Sequence, residues 1–265
     1  MTIPRLLQRY RGAYQRRAAK WFGRRPYTLR QKQAIVSFTF DDFPRSALEI
    51  GGSILEEFGA VGTYYASFGL MEKITPTGKI FRSSDVPTLL ERGHELGCHT
   101  FEHCPAWETS SEAFEASCIR NQAALASLKP RATFPTLSYP ISCPRPLTKR
   151  KMEKYFRACR GGGQTHNRRT PDLNYLSSFF LEQSRDDFDT VRRAIDAARE
   201  QQAWLIFSTH DVCDSPTRYG IQPKFFEQVV RYTVDSGLTA LTMSAALDLF
   251  SVPNVRPSSS TDRDY

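Results

Sequence analysis

The chain has 265 residues, 40% of them hydrophobic and 24% charged, enough for one large core or two small ones. No apolar run has the length of a membrane span, and the N-terminus lacks the apolar stretch of a secretory leader. Six cysteines (98, 104, 118, 143, 159, 213) without a CxxC pair argue for free thiols in place of a disulfide scaffold, so a cytoplasmic protein is expected.

The formal charge of +8 belongs to one end. Residues 1–32 hold ten Lys/Arg and no acid, and subtracting that +10 from +8 leaves the rest near −2. A nucleic-acid footprint would spread over a folded face, so no nucleic-acid partner is expected. Within this segment Leu7, Tyr10, Tyr14, Ala18 and Trp21 recur at three- and four-residue spacing among Arg5, Arg9, Arg16, Arg17, Lys20 and Arg24. That pattern fits a basic amphipathic helix peripheral to an anionic membrane through residues 1–30. It fits equally a helix that packs its aromatic stripe on its own domain or on a partner. The expected organisation is a basic tail over 1–32, one domain over 33–251 and a polar, disordered tail over 252–265.

From residue 34 the chain alternates strand and helix. "AIVSFTF" reads as a buried strand that ends at two adjacent carboxylates, Asp41 and Asp42. "SALEIGGSILEEF" reads as a helix closed by Gly59 and weakened by Gly51 and Gly52. "GTYYAS" is a strand, "SSDVPTLLERG" a short helix, and "HELGCHT" a strand. Thr109 and Glu112 form a capping box before a helix whose Phe114, Cys118, Leu125 and Leu128 share a face. Then come extended "ATFPTLSYP", helical "TKRKMEKYF", extended "FRACRGG" and "LNYLSSFFLE", and helical "DDFDTVRRAIDAAREQQ". "AWLIFST" is the clearest buried strand, followed by a helix with Pro at its first turn, "LTAL" and a short last helix. Such alternation predicts an α/β fold with a largely parallel sheet.

In α/β barrels the site lies at the C-terminal strand ends. The residues there are Asp41, Asp42, His99, 139–142, Arg160, His210 and Asp211. Adjacent acids can be solvated turn residues or a helix cap. They gain separate roles only if partners lie elsewhere. "HTFEH" sets His99 and His103 four apart, on one side of a helical turn, close enough to share an ion. One strand-end carboxylate would complete a 2-His-1-carboxylate set, suited to zinc, cobalt, iron or manganese. Cys98 and Cys104 bracket these histidines and read as structural thiols before thiolate ligands.

"FTFDD", "HTFEH", "SYPIS" and "LIFSTHD" together resemble the polysaccharide deacetylases, carbohydrate esterase family four or NodB-homology domain, over residues 34–250. The similarity to nodulation-type chitooligosaccharide deacetylases implies a distorted, seven-stranded (β/α) barrel and metal-dependent removal of N-acetyl groups from N-acetylglucosamine oligo- or polysaccharide. Carried over, Asp42, His99 and His103 hold a divalent metal, by family preference zinc. Asp41 is the base, His210 the acid, and the Ile141 backbone N–H an oxyanion donor. The chain departs from the pattern at three points. Phe43 stands where Gly is usual, either narrowing the groove, offering a sugar-stacking face, or packing. Ser138 stands where many members have Arg, with Ile141-Ser142 for Tyr-Gly, and Arg160 is the candidate replacement guanidinium. "DLNY" (Asp172, Tyr175) matches the fourth motif poorly, which leaves the partner of His210 unassigned. The rival expectations are a non-sugar amide hydrolase on the same scaffold and a catalytically weak, membrane-associated glycan-binding protein.

Overall fold

The computed structural model describes residues 5–30, 33–141 and 143–251, with side chains from residue 10 on; the C-terminal tail expected over 252–265 lies outside them. The chain runs through α1 (Arg5–Trp21), β1 (Ile35–Phe40), a π-helical turn (Ala47–Gly52) continuing into α2 (Ser53–Glu57), β2 (Gly62–Ala66), a hairpin of β3 (Ile74–Thr75) and β4 (Gly78–Lys79), α3 (Asp85–Glu91) and β5 (Glu95–Cys98). It continues through α4 (Ser111–Leu128), β6 (Thr136–Ser138), α5 (Pro146–Met152), β7 (Ala158–Arg160), β8 (Phe179–Phe180), α6 (Phe188–Glu200), β9 (Trp204–Thr209), α7 (Pro223–Asp235), β10 (Thr239–Ala240) and α8 (Met243–Leu249). No helix of the described residues is long and apolar enough to cross a membrane.

The main strands pair in the order β7-β6-β5-β2-β1-β9-β8, all parallel, with β10 against the first residues of β1. The stretch before β8 closes the curl. Leu176 donates to Cys159 O (2.8 Å) and accepts from Gly161 N–H (2.9 Å) beside β7, and the same chain then enters β8 beside β9. This is the distorted (β/α) barrel that the family resemblance implies, with the largely parallel sheet that the alternation predicts.

Strand parity explains how the sequence aims the site. Val36, Phe38 and Phe40 of β1 join the core between sheet and helices, while Ile35 joins a second core inside the barrel. Ser37 follows Ile35 inward and accepts the Trp204 Nε1–H at 3.0 Å. At period two, the next inward positions are Thr39 and Asp41. On β5 the same count runs Glu95, Gly97, His99. Glu95, at the far end, accepts from Ser244 N–H at 2.7 Å and seats α8, whose Met243 and Leu247 plug the barrel floor. A Cβ on Gly97 would meet the Tyr65 ring at 2.4 Å, so glycine lets Tyr65 fill the lumen.

Several local expectations change. The helix expected from residue 46 starts as a π-helical turn through Gly51 and Gly52, where added Cβ atoms would crowd Phe40, Val212 and Tyr64. Ser110, not Thr109, caps α4, its Oγ accepting from Ala113 N–H at 3.2 Å, and Leu128 lies exposed at the far end. The β3–β4 hairpin was not anticipated, being two residues per strand.

Candidate metal and catalytic site

Asp41 and Asp42 are both buried at the mouth of the barrel, and the backbone turns them apart. Asp41 keeps the inward parity of β1. Its Oδ1 forms an ion pair with Arg160 Nη2, and Ser208 Oγ donates to its Oδ2 at 3.4 Å. Asp42 and Phe43 then take left-handed backbone angles, φ +61° and +51°. That swings Asp42 out of the lumen toward the loop after β5. For non-glycine residues this conformation costs about 1–2 kcal/mol each, offset for Phe43 by full burial. Its ring stacks on Phe81 (4.8 Å) and tilts against Tyr64 (5.2 Å). Phe43 is therefore a packing residue; with no exposed face it neither stacks on a sugar nor lines a groove.

His99 and His103 present Nε2 to Asp42 Oδ1 at 3.5 and 3.1 Å, ring centroids 4.9 Å apart. They do so from a loop and not from the helical turn that the spacing suggested. Thr100 (φ +61°) and His103 (φ +56°) are left-handed, Thr100 Oγ1 accepts from Cys104 N–H (2.9 Å), and Ser117 of α4 accepts from Phe101 N–H (2.9 Å). His99 Nδ1 donates to Ser138 O at 2.8 Å, which leaves a lone pair on Nε2. Burial pulls the His99 imidazole down to about 4, against the pull of Asp41, so it is neutral near pH 7. The buried Asp42 Oδ1 has no hydrogen-bond donor. A neutral imidazole lone pair and a carboxylate oxygen thus converge on one point with no proton between them. One ligand atom from each of Asp42, His99 and His103 lies within 4.8 Å of the others, and the set fits a divalent cation.

Around Asp41 the logic is charge compensation. Burial pushes its carboxyl up, but the Arg160 guanidinium, helped by His99 and His210, holds it down at about 2. Arg160 is buried over the Tyr65 ring (4.7 Å). It is the register partner of Ser138 across β6 and β7. A guanidinium absent at position 138 is thus present one strand over at the same level. Ser138 lends its carbonyl to His99.

The other expected residues fall as follows. His210 follows β9, its Nδ1 3.2 Å from Tyr219 O and its ring 5.5 Å from that of Tyr219. Asp211 turns away and folds the next loop, accepting from Thr217 N–H (2.7 Å) and Thr217 Oγ1 (2.6 Å). Ile141 follows β6 with φ +62° and an exposed side chain. Asp172 is occupied elsewhere, by Lys149 Nζ (2.6 Å) and Arg25 N–H (2.8 Å), and Tyr175 O–H donates to Cys143 Sγ (3.1 Å). His94 packs near the barrel floor with Nε2 3.1 Å from Glu56. His166 lies at the surface beside Gln201 (3.3 Å). All six cysteines are free, and neither Cys98 nor Cys104 joins the metal-ligand group.

Two contributors stand outside the residues expected from the sequence. Thr77, in the turn of the β3–β4 hairpin, donates to Asp42 Oδ2 at 2.9 Å. Glu182, in the 3-10 turn after β8, has a buried Oε2 with no hydrogen-bond partner. Burial, reinforced by Asp41 and Asp211 against Arg160, raises its carboxyl to about 8. Glu182 ends the extended stretch "LNYLSSFFLE", so strand-end logic reaches it.

The family profile described as polysaccharide deacetylase matches residues 28–156. No curated protein matches the chain. Among solved structures, the fold is similar to the Xyl-CE4 domain of a multidomain xylanase from the hindgut metagenome of Trinervitermes trinervoides (14% identity, 85% of this chain and 95% of that one, TM-score 0.60). It is similar to a family 4 acetyl xylan esterase from Clostridium thermocellum in complex with a cobalt ion (17%, 84% and 95%, TM-score 0.59). It is also similar to a CE4 family pseudoenzyme from Bacillus anthracis (9%, 84% and 68%, TM-score 0.58).

Proposed function

We propose, from the premise that residues 28–156 belong to the polysaccharide deacetylase family, that the protein hydrolyses N-acetyl groups of an N-acetylglucosamine-containing glycan, chitooligosaccharides first among them. The observation that carries this reading is the divergence of two adjacent carboxylates onto different partners. Asp42 meets two imidazoles, and Asp41 meets one guanidinium.

A divalent ion, zinc by preference, held by Asp42 Oδ1, His99 Nε2 and His103 Nε2, would supply the Lewis acid that polarises the acetyl carbonyl. Asp41 would accept the proton of the attacking water, with Arg160 fixing its carboxylate and keeping it ionised. The backbone N–H of Ile141 would donate to the oxyanion. His210, its Nδ1 turned to Tyr219 O, would protonate the departing nitrogen through Nε2. Amines leave poorly, so such acid help is worth about 10²–10⁴-fold.

Support for catalysis over simple glycan binding comes from the intact charge set, since Arg160 stands beside the position where Ser138 lacks a guanidinium. The test is acetate release from chitooligosaccharides, acetylated xylan and small non-sugar amides, with and without chelator. Acetate from chitooligosaccharides, abolished by chelator and lowered about 10³-fold or more by Asp41→Asn, is expected. Full activity in Asp41→Asn removes the base assignment, and turnover confined to non-sugar amides removes the glycan assignment.

A further inference from the structure

The amphipathic pattern of the N-terminal segment left open whether its aromatic stripe packs on the domain. In the fold it does so only in part, through buried Ala18 and an edge contact of Tyr14. The face of α1 laid on the domain is small, Ala18 and Ala19 being buried, and its C-terminal end is pinned by buried Lys149, whose Nζ donates to Ala19 O (2.6 Å) and Phe22 O (2.9 Å). Tyr10, Tyr14 and Trp21, four and seven residues apart on one helical face, are 67%, 66% and 62% exposed. Arg17 and Lys20 are exposed among them, with Lys20 Nζ 5.7 Å from the Trp21 ring centroid.

Large aromatic rings turned to water between cationic side chains suit the headgroup layer of a bilayer, where rings and alkyl stems bury while charges meet phosphates. Charge decides between occupants. Residues 1–32 hold ten basic side chains and no acid, so a second copy meeting face to face would be repelled, whereas an anionic surface is attracted.

We infer that α1 is a docking surface for an anionic phospholipid bilayer, engaged through Tyr10, Tyr14, Trp21 and the basic side chains between them. The placement has a consequence that rests on the deacetylase reading. Arg11 pairs with Glu108 at 3.1 Å and the Tyr14 ring meets Trp107 edge-on at 5.9 Å, both on the loop that carries His103. Docking would therefore hold the barrel mouth near the lipid surface, where a lipid-linked glycan is within reach.

The full chain is mixed with phosphatidylcholine vesicles with and without phosphatidylglycerol and sedimented. Binding only to the anionic vesicles, weakened by salt, with a blue shift of Trp21 emission that Trp21→Phe removes, is expected. Arg17→Gln and Lys20→Gln should each weaken binding about fivefold. Tyr10→Ser with Trp21→Ser should weaken it about tenfold or more, with unchanged circular dichroism and unchanged turnover of soluble substrate. No binding to anionic vesicles overturns the inference. So does equal binding by the Tyr10/Trp21 variant, which would mark a general polyanion surface, and so does self-association that the same substitutions abolish without vesicle binding. Vesicle binding by a chain that releases no acetate supports docking and counts against the activity alone.

Discussion

On one side of the barrel mouth, Asp42, His99 and His103 sit on loops and converge acceptor on acceptor. On the other, Asp41 and Arg160 end strands and meet charge on charge. The first set suits a divalent cation, and the second pairs its own charges. Nitrogen and oxygen ligand atoms that converge on one point are held together by a shared cation. Taking one partner from a buried ion pair leaves the other charge buried and uncompensated, which is strongly destabilising.

The difference can be broken from either side, and the loop side should break hardest. Asp42→Ala removes the only carboxylate of the ion site. Ion binding, read by calorimetry or by metal content after dialysis, should fall below detection, and turnover should fall about 10³-fold or more. The ion-free variant should melt no lower than the ion-free parent, since it loses an uncompensated buried charge and Thr77 loses one acceptor. A stoichiometric ion in Asp42→Ala would show that the ligand set is wrong.

Arg160→Met should do the reverse. Ion affinity should stay near that of the parent, while Asp41 is left buried without its cation. Burial then pushes the Asp41 carboxyl up unopposed by its main partner. Removing one member of a buried pair costs about 3–5 kcal/mol, and turnover should fall about 10²-fold. In the parent, the low Asp41 value contributes stability above its unfolded value, lost as pH falls toward about 2. The variant should lose its margin over the unfolded chain at higher pH, read from acid unfolding curves. An unchanged acid midpoint would show that Arg160 does not hold Asp41 down.

How far the sequence reached follows the same division. The apolar runs in "AIVSFTF" and "AWLIFST" are strong because both strands are central and buried, so the strand-end residues Asp41, Asp42 and His210 were legible. Arg160 was legible as the end of "FRAC", though its register opposite Ser138 needed the sheet. What failed was local conformation. The four-residue spacing of His99 and His103 suggested a helical turn, yet left-handed Thr100 and His103 bring the rings together. Left-handed angles at non-glycine residues leave no mark in a sequence. Phe43 was ambiguous for the same reason: its backbone angle suits glycine, while Phe81 and Tyr64 reward an aromatic ring. Thr77 lies in the turn between two strands of two residues each, too short for any period to register, whereas Glu182 follows β8 at the end of a stretch legible as extended.

Glu182 gives the smallest effect and a sign opposite to that of the Asp41–Arg160 pair. It stands on the strand side, within electrostatic reach of Asp41, Arg160 and Asp211, with Oε2 buried and unpartnered. Burial raises its carboxyl to about 8, well above the unfolded value of about 4.3. Between those values the folded chain binds the proton and the unfolded chain does not, so stability falls as pH rises through that window. Glutamine has no proton to lose. Glu182→Gln should therefore melt close to the parent at about pH 5 and a few degrees above it at about pH 8, the difference read from paired thermal scans. Combining it with Arg160→Met sharpens the contrast between the two sides of the mouth. The guanidinium lowers the Glu182 value alongside the residue's own backbone N–H, so without it the carboxyl rises further and the gain from glutamine at about pH 8 should grow. With Asp42→Ala in place of Arg160→Met, that gain should stay as it was. An equal gain at both pH values would mean that Glu182 is already ionised in the fold, and that its charge is compensated by a donor on the strand side.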